Sequence, residues 1–258
     1  METLNQQVPR LLALGDGAWT LEFGNEISAS INARVTGLAD RVNRVRHELP
    51  LLASVTDVVP TYRSLTVHFD PSDSHADELG AWLLALGRAG HTDERKGRQW
   101  RLPVCFDEDF APDLPTLAAA KELTADQVIE RLLAAEFRVY LIGFLPGFPY
   151  MGGLPAELSM PRLASPRQRV PKNSLAVAGE MCSVYPWESP GGWNLLGRTP
   201  VQLFDLQHAE QPAMLAAGDR VRWYAIQRDE YERLLALSQS SGLPRETFLQ
   251  QEDVTCQA

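Results

Sequence analysis

Gly143-Phe144-Leu145-Pro146-Gly147-Phe148-Pro149-Tyr150-Met151-Gly152-Gly153-Leu154-Pro155 opens one stretch of this sequence, and Tyr185-Pro186-Trp187-Glu188-Ser189-Pro190-Gly191-Gly192-Trp193-Asn194-Leu195-Leu196-Gly197-Arg198-Thr199-Pro200 closes it. The 58 residues from 143 to 200 hold 9 of the 18 prolines and 8 of the 18 glycines, so half of the backbone punctuation falls in less than a quarter of the chain. Proline fixes φ and removes a donor, while glycine reaches backbone shapes closed to other residues. Used this densely and with aromatics between them, they predict shaped loops on a rigid support, the usual seat of binding groups.

Charge sets the same stretch apart. Arg162, Arg167, Arg169, Lys172 and Arg198 outnumber Glu157, Glu180 and Glu188, while the whole chain carries −9. No aspartate falls between Asp126 and Asp205. A basic island in an acidic protein suits a small anionic ligand or an acidic partner face. The competing reading, in which Gly and Pro merely join short strands and the arginines are solvated, stays open on composition alone.

Around this stretch the pattern is short strands and turns: 174–178, 182–185, 193–196, 201–205 and 220–226. Frequent short strands with Pro/Gly turns predict a closed or nearly closed β-barrel. A helix is expected from Thr124-Ala125-Asp126-Gln127, a capping box, to about Ala135, and the apolar run 137–144 follows as a strand. Asp229 to Leu237 reads as a final helix, and the tail from Ser238 as polar and poorly ordered.

Upstream the periodicity changes. Residues 18–23 alternate as a strand, and Ile27, Ile31, Val35, Leu38, Val42 and Val45 recur at helical spacing with Asn25 as the cap. Residues 52–59 and 62–69 read as strands, 77–88 as a helix capped by Ser74 and ended by Gly90, and 99–106 as a further strand. The order β-α-β-β-α-β is the ferredoxin-like arrangement. The expected organisation is therefore α+β: a ferredoxin-like domain over 1–97, a barrel domain over 98–240, and a polar tail over 241–258.

Several chemistries find no support. An excess of 33 acids over 24 bases argues against nucleic-acid binding. No apolar run approaches a membrane span, and Leu11-Leu12-Ala13-Leu14 is too short for a signal peptide. Cys105, Cys182 and Cys256 lack metal-ligand spacing, which together with the unclustered His47, His68, His75 and His91 predicts no metal site and a reducing cytoplasm. Cys182 reads as a small buried hydrophobe. No G-x-x-x-x-G-K-[ST], H-E-x-x-H or G-x-S-x-G is present. After His91 the next histidine is His208, so acid–base groups near the central loops are scarce. That scarcity favours half of a shared site over a self-contained enzyme.

Three blocks carry a resemblance: Gly143-Phe144-x-Pro146-Gly147-Phe148-x-Tyr150-x-Gly152-Gly153-Leu154, Pro166-Arg167-x-x-Val170-Pro171, and Tyr185-Pro186-x-x-Ser189-Pro190-Gly191-Gly192-Trp193-x-x-x-Gly197-Arg198-Thr199. With residues 59–71 and the linker Pro112-Asp113-Leu114, they are similar to the 5-oxoprolinase B-subunit family (PxpB), also known as the KipI-like or allophanate hydrolase subunit 1 family. The resemblance runs from about Leu14 to Trp223. It implies a ferredoxin-like domain followed by a cyclophilin-like β-barrel. It also implies A-like and C-like partner subunits and ATP-dependent opening of 5-oxo-L-proline to L-glutamate by the assembly. Two other family roles are inhibition of a sensor histidine kinase and service in a urea or allophanate-type amidohydrolase.

On that resemblance Arg198, Thr199 and Tyr185 are the expected catalytic positions. Arg167, Lys172, Glu180, Ser189, Gly191, Gly192, Phe148 and Tyr150 are expected to bind substrate. Arginine offers a bidentate fork to carboxylate or phosphoryl oxygens, and fixed donors stabilise developing charge. Structural readings stand beside these: Arg198 paired under the barrel rim, Tyr185 a core aromatic, Trp193 a packing anchor. The chain departs from the family pattern in three places. Lys172-Asn173 replaces Ala-Gly, Glu180-Met181-Cys182-Ser183 replaces Gly-Gln-Thr-Gly, and Leu132 stands where a helix histidine is common.

Overall fold

The computed structural model describes residues 8–72, 75–89, 97–240 and 243–250. The chain divides into two compact units, 1–96 and 97–258.

In the first unit, β1 (Arg10–Ala13), β2 (Ala18–Glu22), β3 (Val55–Pro60) and β4 (Ser64–Phe69) form an antiparallel sheet in the order β1-β2-β4-β3. Helices α1 (Ala29–Val45) and α2 (Ala76–Ala89) pack on it, burying Val35, Leu38, Val42, Leu79 and Leu83 against Leu21, Leu65 and Val67. The helical periodicity is correct, but the cap is Ser28 rather than Asn25. Its hydroxyl accepts from Ile31 N at 3.2 Å, and Ile27 is left outside the helix. The expected cap Ser74, the stop at Gly90, and His91 lie outside the described residues.

One strand changes sheets. Gln99–Val104, read as the sixth element of the first domain, is β5 of the second unit. The fourth place in the first sheet goes to β1, which pairs along β2 from Arg10↔Glu22 to Ala13↔Trp19. The reason is burial: Trp100, Leu102 and Val104 complete the core of the second unit.

That unit contains α3 (Leu114–Ala120), α4 (Ala125–Ala134), β6 (Phe137–Ile142), β7 (Pro149–Gly152), β8 (Arg167–Val170), β9 (Ser174–Ala178), β10 (Met181–Val184), β11 (Ser189–Gly191), β12 (Asn194–Arg198), β13 (Arg220–Ala225) and α5 (Arg228–Ser240). Seven strands run in the order β12-β9-β10-β7-β6-β13-β5, with β13 and β5 parallel and the other neighbours antiparallel. The two edges nearly close. Cys105, just past β5, and Arg198, at the end of β12, exchange both backbone hydrogen bonds at 2.9 Å. The architecture is therefore mixed α+β with a nearly closed barrel-like sheet.

The capping box forms as read: Gln127 N donates to Thr124 Oγ1 and Thr124 N to Gln127 Oε1. Leu132, at the family's histidine position, is buried in the barrel core. Two expectations fail. Residues 201–205 form turns with one isolated bridge, Phe204↔Ala213, instead of a strand. The tail is partly ordered: α5 continues to Ser240, and 245–248 form a short 3-10 helix that buries Phe248. Gln250 N then donates to Gln99 O at 2.8 Å. Among the described residues no helix is long and apolar enough to cross a membrane.

Candidate functional site

Strands β9 and β10 separate two layers by their alternation. Leu175, Val177, Cys182 and Val184 point into the barrel core. Ala176, Ala178, Met181 and Tyr185 belong to a second cluster with Phe148, Tyr150, Val170, Trp193 and Leu195. Small Ala176 and Ala178 leave room for aromatics above them. The ring of Phe148 meets Tyr150, Tyr185 and Trp193 edge-on, with centroids 4.9, 5.1 and 5.8 Å apart. Edge-to-face contacts of this kind favour one arrangement of the rings over sliding alternatives. The two proline- and glycine-rich loops are thereby locked to each other.

Polar groups gather at the edge of this aromatic layer. The two-stranded ribbon of β8 and β11 sets Arg167 opposite Gly191 and Val170 opposite Ser189. Gly191 is obligatory: a Cβ there would sit 2.3 Å from the Tyr185 hydroxyl oxygen. The Tyr185 phenol is almost wholly buried, and burial pushes its pKa up. A hydrogen bond with the Trp193 backbone and the nearby Arg162 and Arg167 charges oppose that rise. Burial likewise raises Tyr150, against the pull of Arg162. Arg167 Nη2 donates to Asp113 Oδ1 at 2.7 Å, and Asp113 Oδ2 accepts from Leu195 N at 2.7 Å. The other guanidinium nitrogen, Nη1, is buried with no hydrogen-bond partner, as is Ser189 Oγ. Unspent buried polar atoms cost about 1–3 kcal/mol each and call for an explanation, of which a missing ligand is one.

Of the residues named from sequence, the structure brings Arg167, Tyr185, Ser189, Gly191, Gly192, Phe148 and Tyr150 together here. It places the others differently. The Arg198 guanidinium lies 4.5 Å from the ring centroid of Phe110, which Arg228 also covers at 4.3 Å, and its Nε is buried without a hydrogen-bond partner. Thr199 is fully buried, and its Oγ1 accepts from Val201 N at 3.2 Å. The Lys172 ammonium stacks on Trp187 at 5.4 Å. Glu180 is exposed in the β9–β10 turn, after Gly179 at φ +56°.

Sequence reasoning passed over Asp113, Phe110 and Arg162 as site residues. Nothing in spacing links Asp113 to Arg167, 54 positions away. Arg162 carried the one available signal, an arginine beside prolines within the basic island. Cys182 is fully buried, and burial drives its thiol pKa up. Two hollows elsewhere in the unit, of about 340 and 330 Å3, are lined in part by His208 and Arg245, and none of the sequence-named residues lines either. Their arginines are already satisfied: Arg98 by Asp219 at 3.0 Å, Arg245 by the Gln211 and Pro212 carbonyls at 2.6 and 2.7 Å.

The family model described as carboxyltransferase domain, subdomain C and D, matches residues 9–215. The chain is 33% identical to the 5-oxoprolinase B subunit of Bacillus subtilis over 232 residues, covering 84% of this chain and 93% of that one. It is 41% identical to the 5-oxoprolinase B subunit of Haemophilus influenzae over 175 residues, 66% of this chain and 78% of that one. The crystal structure of TTHA0988 superposes with a TM-score of 0.69 at 34% identity over 81% of this chain. This chain spans only 40% of that longer one. The chain belongs to the 5-oxoprolinase B-subunit family of carboxyltransferase C and D domains.

Proposed function

We propose that this chain is the B subunit of an ATP-dependent 5-oxoprolinase. In that role it binds the lactam acid while A-like and C-like subunits complete the site. The observation that carries this reading is the match along 93% of the Bacillus subtilis protein. Opening a resonance-stabilised lactam requires activation of its oxygen: ATP phosphorylates it and leaves as ADP, water adds to the carbonyl carbon, the ring C–N bond breaks as the nitrogen takes a proton, and a second water hydrolyses the resulting acyl phosphate to glutamate and inorganic phosphate. The sequence contains no glycine-rich phosphate loop, so we place ATP on a partner chain. Arg167 and Tyr185 then hold and orient substrate, while Arg198 and Thr199 serve the fold of the barrel seam.

Need for a partner is supported by two features. The greater part of the TTHA0988 chain lies outside the match, so that relative carries further polypeptide on one chain. In addition Phe144, at the tip of the first loop, is 67% exposed and left-handed at φ +70°. An exposed aromatic on a strained loop suits burial against another chain. In fold terms we read the first unit as a ferredoxin-like variant whose edge strand comes from β1, and the second as a cyclophilin-like barrel. The free, buried Cys105 and Cys182 suit a reducing cytoplasm.

Co-expression with A-like and C-like subunits, followed by an assay of glutamate formation from 5-oxo-L-proline and ATP, tests the reading. Turnover that needs all chains is expected. An assembled complex with no turnover, or full activity from this chain alone, overturns it.

A further inference from the structure

We propose that Arg162 and Arg167 together grip one carboxylate of the substrate beside the Tyr185 hydroxyl, and that Asp113 is the residue that positions Arg167 for it. The proposal deepens the reading above and rests on it for the identity of the acid. Arg162 is exposed, and no carboxylate pairs with it among the described residues. Yet its backbone is not free. Asn194 Nδ2 donates to Pro161 O at 2.9 Å, and Leu163 N donates to Gly192 O at 2.7 Å, so the residues on both sides are pinned to the Trp193 loop. The guanidinium carbon consequently lies 6.0 Å from the Trp193 ring centroid. Fixing a long cationic side chain is entropically costly, and pinning its backbone beforehand lowers what a ligand must offset.

Arg167 stands across the ribbon from Gly191, whose Cα abuts the Tyr185 hydroxyl. Asp113 is 8% exposed and divides its oxygens, one for Arg167 Nη2 and one for Leu195 N. That geometry spends one edge of the guanidinium and leaves Nη1 buried and unpaired. Ser189 Oγ, also unpaired, lies on the facing strand of the ribbon. Charge bookkeeping then defines the ligand class. Two guanidinium charges against the single Asp113 carboxylate leave one positive charge, which matches a monocarboxylate better than a phosphate dianion. An apolar ring at the other end of such an acid would meet the Trp193 and Tyr150 faces.

The test is calorimetric titration of the full-length purified chain with 5-oxo-L-proline, acetate, inorganic phosphate and the uncharged 2-pyrrolidinone. Wild type is expected to bind 5-oxo-L-proline above the other three. Arg162→Gln should weaken both carboxylates roughly tenfold, the usual scale for one charge-assisted hydrogen bond, without lowering Tm. Asp113→Asn keeps an oxygen for Leu195 N but removes the negative charge. It should shift preference toward phosphate and raise the salt dependence of binding, which a purely structural role would not do. Wild-type affinity for 5-oxo-L-proline in Arg162→Gln overturns the grip. Equal weakening of every ligand in Asp113→Asn overturns the positioning role. A wild-type chain that binds no carboxylate overturns both. If Arg162→Gln weakens acetate and 5-oxo-L-proline alike but wild type shows no preference for the lactam, the carboxylate grip stands and the 5-oxoprolinase reading falls.

Discussion

Two arginine pairs of the barrel unit use the same residue type to opposite ends. Arg198 and Arg228 lie over one ring, Phe110, and Arg228 spends its donors on Asp107, Asp109 and Glu232. Arg167 meets a carboxylate, Asp113, while Arg162, near the Trp193 ring, has no ion-pair partner among the described residues. Three of the four lean on one short segment, residues 107–113: Arg198 and Arg228 on Phe110, and Arg167 on Asp113. The count of basic residues in the central stretch is therefore a poor guide to a site. What matters is what each guanidinium already touches: Arg228 has three carboxylates, Arg167 has one, and Arg198 has the Phe110 ring, with its Nε buried and unpaired.

The largest effect expected from this contrast is on stability. Phe110→Ala removes the ring shared by Arg198 and Arg228 and its contact with Tyr231, whose centroid is 4.6 Å away. Truncating a buried aromatic costs about 3–5 kcal/mol. Urea unfolding should show a loss near the lower end, because the ring lies at the seam rather than in the main core. Affinity for 5-oxo-L-proline should hold in the folded fraction. A parallel loss of affinity would mean that the two pairs are not independent.

Arg198→Ala bears directly on the sequence-based expectation, under which turnover falls and folding is untouched. The placement on Phe110 predicts the reverse emphasis: destabilisation by about 1–2 kcal/mol from the lost stacking. Binding of 5-oxo-L-proline should change little. Unaltered Tm with abolished turnover in the assembled complex would return Arg198 to the catalytic group and dissolve the distinction between the pairs.

Much of the scaffold was readable because local rules and tertiary packing agree. The capping box at Thr124, the spacing from Ile31 to Val45, and the five residues of β9 each carry their own signal in consecutive positions. The exchange of β1 for β5 was not readable, since both are short strands of similar composition and only a long-range choice of core separates them. The site divides in the same way. Gly191 and Tyr185 stand in one motif and are found together. Asp113 and Phe110 meet their arginines across long loops, and an aspartate in an acidic run looks like solvated surface until its carboxylate is seen accepting from Leu195 N.

Asn173 links the two regions and offers a smaller test. Its N donates to Tyr185 O at 2.6 Å and its O accepts from Thr199 N at 3.0 Å, so it joins the strand ends that carry Tyr185 and Arg198. The backbone there is left-handed, φ +65°, a region that asparagine tolerates better than most other side chains. Asn173→Gly should match or slightly exceed wild-type stability, since it also removes the buried, unpaired Oδ1. Asn173→Ala should lose about 1 kcal/mol. Equal stability of the two variants in thermal unfolding would show that backbone strain is not what selects the residue.

The smallest effect lies in the phenols beside each arginine pair. Burial raises the pKa of both Tyr185 and Tyr231, with Trp193 backbone bonding and Arg162 opposing it at the first and Arg198 at the second. A folded-state pKa above the unfolded value near 10 means a neutral phenol stabilises the fold fully below about pH 10. That stabilisation is lost as pH rises through the raised folded value. Urea midpoints between pH 8 and 11 should therefore fall at the alkaline end, and Tyr185→Phe and Tyr231→Phe should each flatten the fall. The two tyrosines part company when 5-oxo-L-proline is present. A carboxylate on Arg162 and Arg167 cancels the charges that hold Tyr185 down, so phenolate absorbance should appear at still higher pH. That ligand-induced shift should persist in Tyr231→Phe, shrink in Tyr185→Phe, where Tyr150 still faces Arg162, and vanish in the Tyr150→Phe/Tyr185→Phe double variant. A shift that survives in the double variant would place the ligand away from the open arginine pair.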